Sequence, residues 1–282
     1  MILQTAAAST LFLSLSAAFA DGHFERTVPV TAQPDLYVSS SSGSIRIVPG
    51  SDSQIHISAH LHANGNMGDD AEHRIHRIEG DPPVQISGNV VRVGFPPSGM
   101  RALYNDISID YEISAPRAVA LNLHSDSGNL EVDNLGRFLK ADTASGGVRA
   151  RGILGPADLH SSSGDLELEE RGSGDLRAST SSGSVRIHGL NGALEASTAS
   201  GDIEADGRLT GGAHLRSASG SIRLHLGHDA RFDLDATTAS GAIRVSQAGA
   251  PIAENSRRVS VSANGGGPTL SAVTASGDID IN

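Results

Sequence analysis

The sequence predicts an all-β protein, a right-handed parallel β-solenoid with two strands per coil of about 18 residues and an N-terminal β-rich cap carrying a short helix. Three observations predict it. Ser-Gly pairs recur with glycines at Gly128, Gly146, Gly164, Gly183, Gly201, Gly220 and Gly241, in steps of 18, 18, 19, 18, 19 and 21 residues. Apolar–polar–apolar triplets stand at fixed distances on both sides of each glycine. The polar residues inside those triplets alternate in charge from one repeat to the next.

The triplets define the strands. Seven and five residues before each glycine stand pairs such as Leu121/Leu123, Leu139/Ala141, Leu176/Ala178 and Leu234/Ala236. Two and four residues after it stand Leu130/Val132, Val148/Ala150, Leu166/Leu168, Val185/Ile187, Ile222/Leu224 and Ile243/Val245. Period two is the pattern of a strand with one buried face. Each repeat is therefore two short strands joined at Ser-Gly, where glycine is expected to supply a positive φ. One coil cannot bury its own apolar face, but a stack of coils can. The half-period of nine between Gly146, Gly155 and Gly164 favours two long sides over the three short sides of a left-handed hexapeptide helix.

The charges test the stacking independently. Three residues after each glycine the sequence reads Glu131, Arg149, Glu167, Arg186, Glu204, Arg223 and Arg244. Six residues before, it reads Asn122, Lys140, Asp158, Arg177, Glu195, His214 and Asp235. In an in-register parallel stack these side chains lie about 4.8 Å from their neighbours, so opposite signs attract and like signs repel. The alternation holds until the longest step, where Arg223 and Arg244 break it. Serine precedes every glycine, and Ser or Thr stands three residues before it; hydroxyls there can bond neighbouring backbone without any ligand.

In chain order, residues 1–20 read as a secretory signal: an apolar run from Leu11 to Leu15 and a small-x-small site, Ala18-Phe19-Ala20, before Asp21. The start, Met1-Ile2-Leu3-Gln4, lacks Lys and Arg, so either the free amino group serves as the n-region or the true start lies upstream. The expected destination is export to the periplasm, the cell surface or the medium, with no stable membrane span in the mature chain. Residues 21–116 read as the cap and a first, irregular coil. Leu36-Tyr37-Val38, Ser42-Gly43 and Ile45-Arg46-Ile47 fit the repeat, Ile55 to Leu61 alternates as a strand, and Asp69 to Ile78 has helical spacing with Asp69 and Asp70 at its N-terminus. Val84 to Ile86 and Val90 to Val93 read as a hairpin, and Asp106 to Ile113 as a strand ended by Pro116. Residues 117–282 read as the solenoid. Beyond Val245 the period breaks at 248–256 and returns as Val259/Val261, a glycine run at 265–267, then Leu270/Ala272, Ser276-Gly277 and Ile279/Ile281; the step of 36 from Gly241 to Gly277 implies two periods, one coil distorted by an insertion. Aromatics make up only 3% of the 282 residues, and none lies between Phe138 and Phe232, as a thin two-sheet core permits.

The run Tyr111-Glu112-Ile113-Ser114-Ala115-Pro116, the Ser127-Gly128-Asn129-Leu130 turn and the repeated Thr/Ser-Ala/Ser-Ser-Gly-Asp phrases resemble a bacterial family of exported β-strand-repeat proteins described as candidate adhesins, of unknown function. The resemblance runs from Leu36 to Ile281. It implies a non-catalytic cell-envelope protein, an adhesin or surface scaffold whose partner is a cell-surface or matrix component. It brings no catalytic residue with it.

No catalytic, cofactor or metal residue is assigned from the sequence, and no cofactor is expected. Asp165, Asp175, Asp202 and Asp278 invite comparison with calcium-binding β-rolls, but the second and third glycines of that motif are missing and Gly147, Ser184 and Ala242 stand at equivalent positions. His56, His60 and His62 share one strand face, with His73 and His76 beyond Asp69 and Asp70; imidazole and carboxylate together could hold Zn²⁺ or Cu²⁺, yet the spacing matches no complete ligand set. An envelope protein binding a solute or metal through this cap is the alternative function. A polysaccharide-active enzyme is the remaining one, disfavoured because no G-x-S-x-G elbow occurs and the Glu and Arg residues are expected to pair with each other. A net charge of −11 without a basic patch argues against nucleic acid.

Overall fold

The computed structural model describes residues 21–64, 68–96, 99–246 and 256–282, and of residue 69 the backbone alone. The expected signal at 1–20, the side chain of Asp69 and all but Ser256 of the period break at 248–256 lie outside the described residues. Two parallel sheets face each other across a narrow core. Sheet I contains the strands before each Ser-Gly, such as Phe138–Thr143, Ala157–Ser161 and Leu176–Ser182. Sheet II contains those after it, such as Leu130–Asp133, Val148–Ile153 and Leu166–Glu170. Every pair of apolar triplet positions points inward; Leu121, Leu139, Ala150, Leu159, Ile203 and Ile222 are all fully buried. In the middle of the stack each coil follows its predecessor in register, with Leu139 opposite Leu121 and Ala157 in sheet I, and Arg149 opposite Glu131 and Glu167 in sheet II.

The ends depart from chain order. The first coil, Asp35–Ser42 and Ile45–Pro49, lies directly on the 120–133 coil. Outside it sheet I adds Val90–Val93 in parallel and then Val84–Ser87 antiparallel. Sheet II adds Ile107–Ala115 in parallel, then Gln54–Ala63 and Asp21–Pro29 antiparallel. The helix Gly68–Gly80 packs on Asp21–Pro29 through buried Ala71, Ile75 and Ile78; a Cβ on Gly22 would collide with Ile75.

At the other end the sequence reading needs correction. The step from Gly241 to Gly277 is not two successive coils. The coil formed by Thr269–Ser276 and Ile279–Ile281 slides between the 213–226 coil and the 232–245 coil, pairing with both. Arg258–Ala263, read as part of a distorted coil, instead runs antiparallel along the outer edge of Phe232–Ser240. The charges fit this order. Insertion places Asp280 opposite both Arg223 and Arg244, the two residues that break the alternation when chain order is assumed. The spatial column now reads Glu112, Arg46, Glu131, Arg149, Glu167, Arg186, Glu204, Arg223, Asp280, Arg244, alternating without exception.

The glycines are explained by contact more than by φ. Gly183, Gly201, Gly220, Gly241 and Gly277 lie at φ 151° to 157°, but Gly128, Gly146 and Gly164 do not share a positive φ. What all of them share is the carbonyl of the next coil: a Cβ on Gly164 would strike the oxygen of Gly146, one on Gly183 that of Gly164, and one on Gly277 that of Gly220. The same carbonyls accept the buried hydroxyls three residues before the next glycine. Ser161 Oγ donates to Gly146 O (2.9 Å), Thr180 Oγ1 to Gly164 O (3.0 Å), Thr198 Oγ1 to Gly183 O (2.9 Å) and Thr238 Oγ1 to Gly277 O (2.9 Å). A bare glycine lets the coils approach, and the hydroxyl satisfies the carbonyl that the approach buries.

Candidate functional surfaces

The outer face of sheet II is closed upon itself. Coils alternate between two types, one with Asn or Asp directly after the turn glycine and an acid two residues on, the other with a small residue and then arginine. The first supplies acceptors to the second. Asp165 Oδ1 accepts the Ser184 N–H (2.8 Å), Asp202 Oδ1 that of Ser221 (2.8 Å), Asp278 Oδ1 that of Ala242 (2.9 Å), and Asn129 Oδ1 that of Gly147 (3.0 Å). Asp110 does the same for Ser44 at the outermost coil (2.7 Å). Their other oxygens face arginine, Asp202 to Arg223 at 3.3 Å and Asp278 to Arg244 at 3.2 Å. Arg149 meets Glu167 at 2.9 Å and Arg46 meets Glu131 at 2.9 Å. Hydrogen bonding from the Ala242 amide and from Arg244 holds Asp278 below the ordinary carboxylate range, and Arg149 does so for Glu167. The carboxylates considered for calcium are thus engaged by backbone amides and arginines. Asp175 likewise accepts the Ala193 N–H at 3.2 Å.

Glu170 departs from this order. It is 95% buried, one oxygen accepts the Asn191 N–H at 2.9 Å, and burial pushes its carboxyl above the ordinary range. No repeat position marks it, because the equivalent residues are Gly152, Gly189 and Gly207.

The cap histidines are separated by the sheet that carries them. His56, His60 and His62 lie on the outer face of Gln54–Ala63, whose alternate residues are buried. His62 sits between Asp21 (2.9 Å) and Asp110 (3.7 Å), the ring of His60 is 5.0 Å from that of His23, and His56 meets Thr27 at 3.1 Å. The helix packs on the opposite, buried face through Ile75 against Gly22, and there His76 lies between Glu72 and Glu79. The strand histidines therefore do not meet His76 of the helix. Among the described residues no group of three or more His, Asp or Glu side chains has the geometry to hold a metal ion. The sequence did not reveal the partners His23, Asp21 and Asp110, because antiparallel pairing of the cap has no repeat to announce it.

The outer face of sheet I differs. Its central column includes Asp158, Arg177, Glu195, His214 and Ser271 on successive coils, with a direct ion pair between Arg177 and Glu195 (2.8 Å). Phe138, 40% exposed, stands at the margin of this face. No helix among the described residues is long and apolar enough to cross a membrane.

Among curated proteins none matches this chain. The chain is similar to solved structures, among them the following two. A candidate adhesin from Bacteroides fragilis NCTC 9343 is 12% identical, covering 92% of this chain and 97% of its own, with a TM-score of 0.45. A candidate cell adhesion protein from Clostridium sporogenes ATCC 15579 is 13% identical, covering 92% and 98%, with a TM-score of 0.25. The profile of the Toastrack family, DUF4097, matches residues 27–282, and with its two-strand coils and Ser-Gly turns the chain belongs to that family.

Proposed function

We propose that this protein is an exported, non-catalytic surface module that binds a cell-surface or matrix component. The observation that carries this reading is the contrast between its two broad faces. The polar side chains of sheet II are extensively engaged in holding coil to coil, whereas on sheet I such contacts are fewer, Arg177 with Glu195 and His160 with Ser179 among them, and its outer face also presents the exposed His214 and Arg216 toward solvent. A rigid array costs little conformational entropy when it binds an extended partner. The residues at 1–20 support export, and the scarcity of basic surface supports a partner other than nucleic acid.

Binding of purified protein spanning 21–282 to intact cells and to immobilised matrix, followed together with assays for glycan and ester turnover, tests this. Saturable binding without turnover is expected. Turnover of a glycan at a rate above background would replace the reading with an enzyme. Stoichiometric Zn²⁺ binding lost in His60→Ala/His62→Ala, with no binding to cells or matrix, would replace it with the metal-binding alternative.

A further inference from the structure

Sheet I carries two shallow hollows on its outer face that share Glu195 and His214 and so form one track across the coils. The track begins at Phe138 and passes Asp158, Arg177, Glu195, His214 and Arg216. From the coil of Phe138 to that of Ser271 it crosses five coil steps, roughly 24 Å at about 4.8 Å each. Its margin is low, because Pro156, Ala193 and Gly212 stand where longer side chains would block it.

We propose that this track binds a linear, uncharged polysaccharide laid along the solenoid axis, a proposal that rests on the surface-binding reading above. Three features select this ligand. First, the charges cancel locally, as Arg177 and Glu195 pair at 2.8 Å, so the track offers many hydrogen-bonding groups without a field that favours an ionic polymer. Carboxylates and guanidinium groups so arranged match vicinal hydroxyls, each of which donates and accepts. Second, the exposed ring of Phe138 at one end provides an apolar face for the C–H side of a sugar ring. Third, an extended pyranose unit is comparable in length to one coil step, so consecutive sugars meet consecutive rungs. A polyanion would face Asp158, Asp175 and Glu195, and the whole chain carries a net charge of −11.

Affinity electrophoresis of the 21–282 protein through gels containing β-1,4-glucan, mannan or polygalacturonate tests this. We expect retardation by at least one neutral polymer and none by polygalacturonate. Phe138→Ala and Glu195→Gln should each weaken retardation about tenfold, and Arg186→Gln on sheet II should leave it unchanged. Melting curves confirm that each variant is folded, and Phe138→Tyr, which keeps the ring, should retain binding. No retardation by either neutral polymer, equal retardation of the Phe138→Ala and wild-type proteins, or preference for polygalacturonate would overturn the proposal. Binding to intact cells separates the two claims: cell binding unaffected by both sheet I variants leaves the surface module standing and removes the track, whereas absence of any cell or matrix binding removes the surface module itself.

Discussion

The middle of the stack and its two ends are built by different routes and held by the same contacts. Between residues 120 and 226 each coil lies on the coil before it, and chain connection alone could account for the order. At the ends it cannot. The 35–49 coil meets a coil that follows it by some seventy residues, and the last coil lies between two that precede it. Yet the turn glycine meets a carbonyl, the hydroxyl bonds that carbonyl, and acid faces arginine, at Gly277, Thr238 and Asp280 as at Gly164, Thr198 and Glu204. Matching rungs occur at every one of these coil-to-coil contacts, whether or not chain connection brings the coils together, as selection of neighbours by their rungs requires.

The glycines offer the largest way to break this comparison. Gly164→Ala in the middle and Gly277→Ala near the end should each cost at least about 3 kcal/mol in urea denaturation, because backbone cannot move aside for the new methyl. Gly88→Ala, at φ 60° in open space, isolates the backbone term and should cost only about 1 kcal/mol. Tolerance of Gly277→Ala alone would show that the inserted coil is packed less closely than the rest.

Glu170 sharpens the comparison from the opposite side, as a place where the middle is less satisfied than the ends. Its carboxyl is held above the ordinary range, so the folded chain binds that proton more tightly than the unfolded chain, and stability falls as pH rises through the ordinary carboxylate range. Glu170→Gln should raise stability by about 1 to 2 kcal/mol near neutral pH and change little in acid. Asp278 and Glu167 act with the opposite sign. Their lowered values contribute stability at neutral pH that disappears as pH falls through and below the ordinary carboxylate range. An Asp278→Asn variant should therefore show a shallower loss of melting temperature on acidification than the wild type.

The hydroxyl ladder gives a smaller effect. Thr198→Val and Thr238→Val should each cost about 1 kcal/mol, since a buried carbonyl loses its donor. Ser125 is buried without a hydrogen-bond partner, so Ser125→Ala should be neutral within about 0.5 kcal/mol. A cost at Ser125 equal to that at Thr198 would show that volume, and not the hydroxyl, is what matters.

How much of this was legible follows from which signals repeat. The coils, the buried triplets and the rungs are written at fixed spacing, and the Arg223/Arg244 clash contained the topology of the last coil: an acid was missing between them, and Asp280 was the rung left to supply it. Read as an exception, it concealed the insertion. The glycine phrase was located, and its expected positive φ is found at Gly43, Gly183, Gly201, Gly220, Gly241 and Gly277 but not at Gly128, Gly146 or Gly164. The collision with a glycine carbonyl of the neighbouring coil, which all of these except Gly43 share, was not legible, since φ belongs to one residue whereas that contact depends on the next coil. The cap partners Asp21, His23 and Asp110, the isolated burial of Glu170 and the track on sheet I arise from pairings that occur once. A single occurrence leaves no period to read.

The charge rungs should show the smallest effects. Arg186→Glu should lower stability by about 0.2 to 1 kcal/mol, with Glu204→Arg restoring part of it in a double-mutant cycle. The order of coils is tested more directly by cross-linking, which the absence of cysteine makes unambiguous. Ser276 lies opposite both Ser219 and Ser240, whereas Ser219 and Ser240 are separated by the inserted coil. Adjacent strands stand about 4.8 Å apart and second neighbours about 9.6 Å, beyond the roughly 7 Å that a disulfide spans. Under mild oxidation, Ser219→Cys/Ser276→Cys and Ser240→Cys/Ser276→Cys should close to intramolecular disulfides and Ser219→Cys/Ser240→Cys should remain reduced. Efficient closure of the 219–240 pair, with the 219–276 pair open, would show that the coils follow chain order and contradict the selection of neighbours by their rungs.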